Sequence, residues 1–138
     1  MNIAFFIIPK KEVVHLNIHS TMRQALERME HHRYSAVPLL DEEGKYVTTL
    51  TEGDLLWKLK NTHDLSFHNT EKIRLTDIPF HRKNEPIFID AEMENIISRA
   101  MEQNFVPVVD DQGIFIGIIR RREIIEYCAN QLFGVEKE

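Results

Sequence analysis

Arg120, Arg121 and Arg122, followed by Glu123, stand where the apolar run Phe115–Ile119 hands over to a helical pattern. Cations in the first turn of a helix oppose its dipole by about 0.3 kcal/mol or more each, so the run makes little sense as structure alone. A bound anion reverses that sign, because guanidinium forks grip phosphate oxygens in pairs while the unpaired N–H groups of a helix start point at the same place. Part of the run is nevertheless expected to be ordinary solvated arginine, paired with Glu123 or Glu126. At the equivalent place 69 residues earlier stand Thr51 and Asp54. Thr51-x-x-Asp54 has two readings. In one it is a capping box, Thr51 capping the helix and Asp54 bonding back. In the other Asp54 accepts hydrogen bonds from a ribose diol beside the Thr51 hydroxyl. Glu52, in the same turn, opposes a phosphate there and leaves this junction to a nucleoside end, or empty. Arg120 and Glu123, in place of Thr51 and Asp54, strengthen the phosphate grip.

These junctions must be held by something, and the chain shows what. "VPLLDEEGKYVTTLTEGDLL" from Val37 lies over "VPVVDDQGIFIGIIRRREII" from Val106 at that same offset, with Val37, Pro38, Asp41 and Gly44 recurring as Val106, Pro107, Asp110 and Gly113. The apolar pattern recurs around them, so an internal repeat organises the chain. Each Asp-x-x-Gly predicts a hairpin turn. Upstream, Met22, Ala25, Leu26 and Met29 follow helical spacing behind Ser20 or Thr21; Met93, Ile96, Ile97, Ala100 and Met101 do so behind Asp90. The helix register differs by two residues, which places a short deletion near Asn104. Short strands are expected at Val13 to Leu16 and Ile87 to Ile89. The fold class is therefore α/β (α+β), two pseudo-symmetric β-α-β-β-α repeats packed through their sheets. The expected division is 1–11, an N-terminal helical segment; 12–61, the first repeat; 62–83, a polar linker with a helical turn near Leu75 to Ile78; 84–134, the second repeat; and 135–138, a tail. A repeat of roughly 50 residues buries too little surface to stand alone, so the two are expected to pack together.

Composition narrows the chemistry. A formal charge of -5 over 138 residues opposes nucleic acid and anionic membrane as partners, and no row of stacking aromatics offsets it. The apolar opening, Ile3 to Ile8, is far shorter than a membrane span and lacks a basic start. Cys128, the one cysteine, excludes an internal disulfide and suits a reducing, cytoplasmic setting. No nucleophile motif, phosphate-binding glycine loop or dinucleotide pattern is present, and the seven histidines are scattered, so neither catalysis nor a metal site is expected. Apolar residues on the closing helices (Leu55, Leu56, Leu59; Ile124, Ile125, Leu132) exceed what one small core needs and point to a homodimer.

The repeated helix, hairpin and closing helix, with "YVTTLTEGDLL" from Tyr46 as its most specific part, resembles a tandem pair of CBS domains, the Bateman module. Together with "LTDIP" from Leu75 and "IIRRREII" from Ile118, the whole arrangement is similar to small stand-alone bacterial CBS proteins, some of which bind cyclic di-AMP. The resemblance implies a non-enzymatic sensor of an adenosyl ligand (AMP, ADP, ATP, S-adenosylmethionine or cyclic di-AMP) held in clefts between the repeats, which signals to a protein partner by conformational or dimer rearrangement. A ligand-independent dimeric adaptor is the alternative. The ligand residues it implies in one cleft are Thr51 and Asp54; in the other, where the sequence departs from the family's pattern, Arg120, Arg121, Arg122 and Glu123 are expected from their own chemistry. Adenine needs an apolar slot edged with backbone groups, which Tyr34, Ser35 and Ala36 with Val14 and His15 offer in the first repeat. Asn104, Phe105 and Val106 with Pro86 and Ile87 offer it in the second. The residue before each following proline is held extended.

Overall fold

The computed structural model describes residues 3–80 and 84–134; the expected tail 135–138 lies outside them. Among the described residues eleven strands and α-helices follow in the order β1 (Ile8–Pro9), β2 (Leu16–Asn17), α1 (Met22–His32), β3 (Ala36–Leu40), β4 (Tyr46–Thr51), α2 (Glu52–Asn61), β5 (Ile87–Phe88), α3 (Met93–Ala100), β6 (Phe105–Val109), β7 (Phe115–Arg120) and α4 (Arg121–Phe133). The chain forms two compact units, Val14–Lys83 and Met1–Val13 with Asn84–Glu138. None of the helices among the described residues is long and apolar enough to cross a membrane.

The unit Val14–Lys83 is a three-stranded sheet, β2-β3-β4, with α1 and α2. Thr21 caps α1 in a reciprocal box with Gln24, which puts Met22, Ala25 and Met29 on the buried face. Strand β3 pairs antiparallel with β4 and parallel with β2. The hairpin closes as its residue types require: Asp41 Oδ1 accepts from the Glu43 and Lys45 N–H groups, and Gly44 takes φ 85. Beyond α2 the chain is built into this unit. A 3-10 turn, Leu75–Asp77, stands where the helical turn is expected, and Leu75 and Ile78 are buried with Met22, Leu39 and Leu50. Arg23 fastens the preceding segment, its Nε donating to Thr70 Oγ1 and an Nη to the Phe67 carbonyl and Glu71. Thr70, 0% exposed, returns its hydroxyl to the Phe67 carbonyl, so no buried polar group there is stranded.

The other unit repeats the plan as β1-β7-β6-β5 with α3 and α4. Its hairpin is the same device, Asp110 Oδ1 accepting from Gln112 and Ile114, with Gly113 at φ 85. Even the register shift recurs, between Leu39 and Leu40 in one hairpin and Val108 and Val109 in the other. The extra strand β1 comes from the chain's beginning and pairs antiparallel with β7, Ile8 beside Ile118 and Pro9 beside Gly117. The opening is thus two short 3-10 helices, Ile3–Phe6 and Lys10–Glu12, flanking a strand. Ile3 is buried with Ile96, Val106 and Ile119, and Phe6 meets Tyr127 edge-on at 5.6 Å. Each repeat is therefore completed by the segment that precedes the other one.

Several expectations are corrected. The first strand is Leu16–Asn17, displaced from Val13 because Val13 ends the preceding 3-10 turn. Helix α3 starts behind Glu92, not Asp90, because Asp90 lies in a turn closed by the Ala91 N–H on the Phe88 carbonyl. Met101 follows the last residue of that helix and is 78% exposed, outside the core its spacing suggested. On the closing helices, Leu55 and Ile124 are core residues; Leu56, Ile125 and Leu132 do face outward, at 55%, 59% and 79% exposure.

Candidate functional site

The register of each hairpin brings the start of its first strand beside the start of its closing helix. In the first repeat Ala36 lies opposite Thr51, and the Glu52 N–H donates to the Ser35 carbonyl at 3.0 Å. In the second, Phe105 lies opposite Arg120, and the Arg121 N–H donates to the Asn104 carbonyl at 2.9 Å. Tyr34, Ser35, Ala36, Thr51 and Asp54 are therefore brought together, as are Asn104, Phe105 and Arg120 to Glu123. Strand β2 runs parallel to β3 with Leu16 beside Leu39, which leads Val14 and His15 back toward the same junction; β5 does this for Pro86 with Ile87 beside Val108. Tyr34 and Ser35 are exposed, Ala36, Val14, His15, Pro86 and Phe105 are partly buried, and Asn104 is exposed. The side chains of Val106 and Ile87 belong to the core, so these two offer a ligand backbone only.

At the first junction the capping box forms. Thr51 Oγ1 accepts from the Asp54 N–H at 3.2 Å, and Asp54 Oδ2 accepts from the Thr51 N–H at 2.9 Å. Asp54 is 4% exposed, so one of its carboxylate oxygens is committed to the backbone in a low-dielectric place. Behind the junction a groove of about 700 Å³ opens, floored by Leu26, Met29, Leu55, Leu56 and Leu59 and rimmed by Arg33, Tyr34 and Glu52 among others. Arg33 ends α1 in the left-handed region, φ 59 and ψ 36. The Tyr34 ring stacks on His32, 5.6 Å between centroids and 16° between planes.

The second junction divides the three arginines. Arg120 caps α4 without any side-chain bond to the helix backbone; its Nε and Nη2 instead meet Glu123 Oε1 and Oε2 at 2.9 and 2.8 Å. Arg121 turns the other way and donates from Nε to the Ala100 carbonyl at 2.8 Å, satisfying an end of α3. Arg122 is left outermost, 77% exposed and only 3.9 Å from Glu126, a loose ion pair. The pairings with Glu123 and Glu126 are those expected. The Arg121 Nε is thereby committed to the end of α3.

Sequence reading missed Gln103. It is 8% exposed, and its amide nitrogen donates to the carbonyls of Glu85 and Phe105, both at 3.3 Å, which ties the Pro86 segment to the start of β6. No pattern marks it, since its worth lies in two carbonyls, one of them 18 residues away in sequence. Among the described residues no cluster of His, Cys, Asp and Glu is suited to a metal ion.

A family model of the CBS domain matches residues 7–61 and again 76–130. Among solved structures, CbpB of Listeria monocytogenes in complex with c-di-AMP superposes with a TM-score of 0.81 at 22% identity, over 98% of this chain and 100% of that one. A hypothetical conserved protein from Geobacillus kaustophilus gives 0.83 at 24%, over 95% and 98%. CBSX2 in complex with AMP gives 0.73 at 19%, over 95% and 98%. Comparison with curated proteins yields no match. At these identities the solved structures establish likeness of fold. The two matched segments span most of the sequence, and the repeated hairpin and closing helix account for both, so the chain belongs to the CBS-domain family and carries two such domains in tandem.

Proposed function

We propose that the chain is a non-enzymatic regulatory module that binds an adenine nucleotide at the strand-to-helix junctions of its repeats and passes the binding event to a protein partner. One observation carries this reading: two junctions of the same backbone geometry present different chemistry, a hydroxyl and carboxylate at Thr51 and Asp54, and a cluster of guanidinium groups at Arg120 to Arg122. The first suits the sugar of a nucleotide and the second its phosphate, each at its own junction. The c-di-AMP and AMP bound to CbpB and CBSX2 support the adenine class. AMP, ADP, ATP and cyclic di-AMP are the ligands to compare. Within the arginine run the phosphate contact falls chiefly to Arg122, because Arg120 is engaged by Glu123 and Arg121 by Ala100. Exposed Leu56 and Ile125 support homodimerisation through the closing helices, and a reducing cytoplasmic setting agrees with the lone Cys128.

Calorimetric titration with these nucleotides at low and high salt tests the reading. Binding is expected, weakening as salt rises, and Arg122→Ala should cost about 1.5 kcal/mol, the low end for a charge-assisted hydrogen bond since Arg122 is largely exposed. Absence of binding by all of them would leave the ligand-independent adaptor. One observation favours that second reading, namely that Thr51 with Asp54, and Arg120 with Glu123, are already satisfied by one another.

A further inference from the structure

This inference rests on the reading of the second junction as the phosphate end of the ligand site. The Arg120 fork is already filled by Glu123, two parallel bonds of 2.9 and 2.8 Å that use the edge a phosphate would take. The carboxylate is the less hydrated partner, with its side chain 21% exposed against 53% for Arg120, and it lies in the first turn of α4, where the helix N–H groups also favour negative charge. Glu126 sits one turn on, beside Arg122. Arg120 and Arg122 thus each face a carboxylate, while the Arg121 guanidinium is drawn to the Ala100 carbonyl, so an incoming anion meets little excess positive charge from the side chains.

We infer that Glu123 sets the charge class of the ligand: it admits a phosphodiester and turns away a terminal phosphomonoester. A phosphodiester carries a single negative charge, which the N–H groups of the α4 start and the outward Arg122 can meet. A phosphomonoester approaches two at neutral pH, and the second charge would lie beside a carboxylate held in place by the Arg120 fork. With partial screening at a half-exposed site, this like-charge contact lowers affinity about tenfold.

The experiment titrates the full chain at low salt with AMP and with its methyl phosphodiester, which differ by one methyl group and one charge. The wild-type protein is expected to bind the ester about tenfold more tightly. Glu123→Gln, which keeps an acceptor for Arg120, should bring the ratio close to one by strengthening AMP, whereas Glu126→Gln, at a carboxylate 61% exposed, should move the ratio much less. Melting curves check that the variants are folded. Should Glu123→Gln unfold, the wild-type ratio measured at rising salt takes its place, and it should fall toward one. A ratio near one in the wild type at low salt, a ratio unmoved by Glu123→Gln, or one unmoved by salt overturns the inference while leaving nucleotide binding intact. Failure of both ligands to bind any of the proteins overturns the underlying reading as well.

Discussion

Gly117→Ala tests whether the N-terminal strand is an integral part of its unit. A methyl group at this position would stand 2.2 Å from the Ile8 carbonyl oxygen, 2.6 Å from Ile7 Cγ2 and 3.1 Å from the Ile8 carbonyl carbon. Two of these atoms are backbone, so no side-chain rotation relieves the clash and β1 must move as a body. Overpacking of this kind costs about 1–3 kcal/mol by itself. Displacing β1 also gives up ladder bonds to β7, each about 1 kcal/mol net. It further loosens Ile3, 2% exposed, whose full burial contributes about 1.5–3 kcal/mol. The strand yields partway and these costs overlap, so the expected loss is about 2–4 kcal/mol in equilibrium urea unfolding. Thr48 occupies the matching place in the first repeat, where β4 is the edge strand of its sheet among the described residues. Deleting residues 1–9 should therefore lower the penalty without removing it, because Gly117 has φ 159 and an alanine there keeps about 1 kcal/mol or more of backbone strain. A full-length Gly117→Ala protein within about 0.5 kcal/mol of wild type, or an equal cost in both backgrounds, would refute the argument.

Arg33→Gly should stabilise the chain by about 0.5–1 kcal/mol, since it relieves a left-handed arginine at the end of α1; an unchanged or lower unfolding midpoint counts against it. Arg121→Ala should cost about 1–2 kcal/mol of stability through the lost bond to Ala100, and any loss of ligand affinity should be insensitive to salt, unlike that of Arg122→Ala. A salt-dependent loss in calorimetry would make Arg121 a direct phosphate contact. Thr51→Ala should cost about 1 kcal/mol in thermal or urea unfolding without ligand, and Thr51→Ser much less. Full stability of Thr51→Ala, with ligand binding lost, would show that the hydroxyl serves the ligand and not the helix.

What the sequence determined by itself is the local and the repeated. Spacing of Met22, Ala25 and Met29 placed α1, the Asp-x-x-Gly turns placed both hairpins, and the offset between Thr51 and Arg120 located both junctions, because turn chemistry and amphipathic period act over a few residues. Tertiary structure decided everything that depends on a distant partner. Arg120, Arg121 and Arg122 are one uniform run in sequence, yet one grips Glu123, one staples the end of α3 and one faces outward, since each side chain points in a different direction from the first turn of α4. The burial of Leu75 and Ile78 with the first repeat, and of Ile3 with the second, was likewise settled only by packing. A buried apolar side chain has no preference among cores in its own sequence; the exchange of the two preceding segments exists only once the strands and helices they cover are in place.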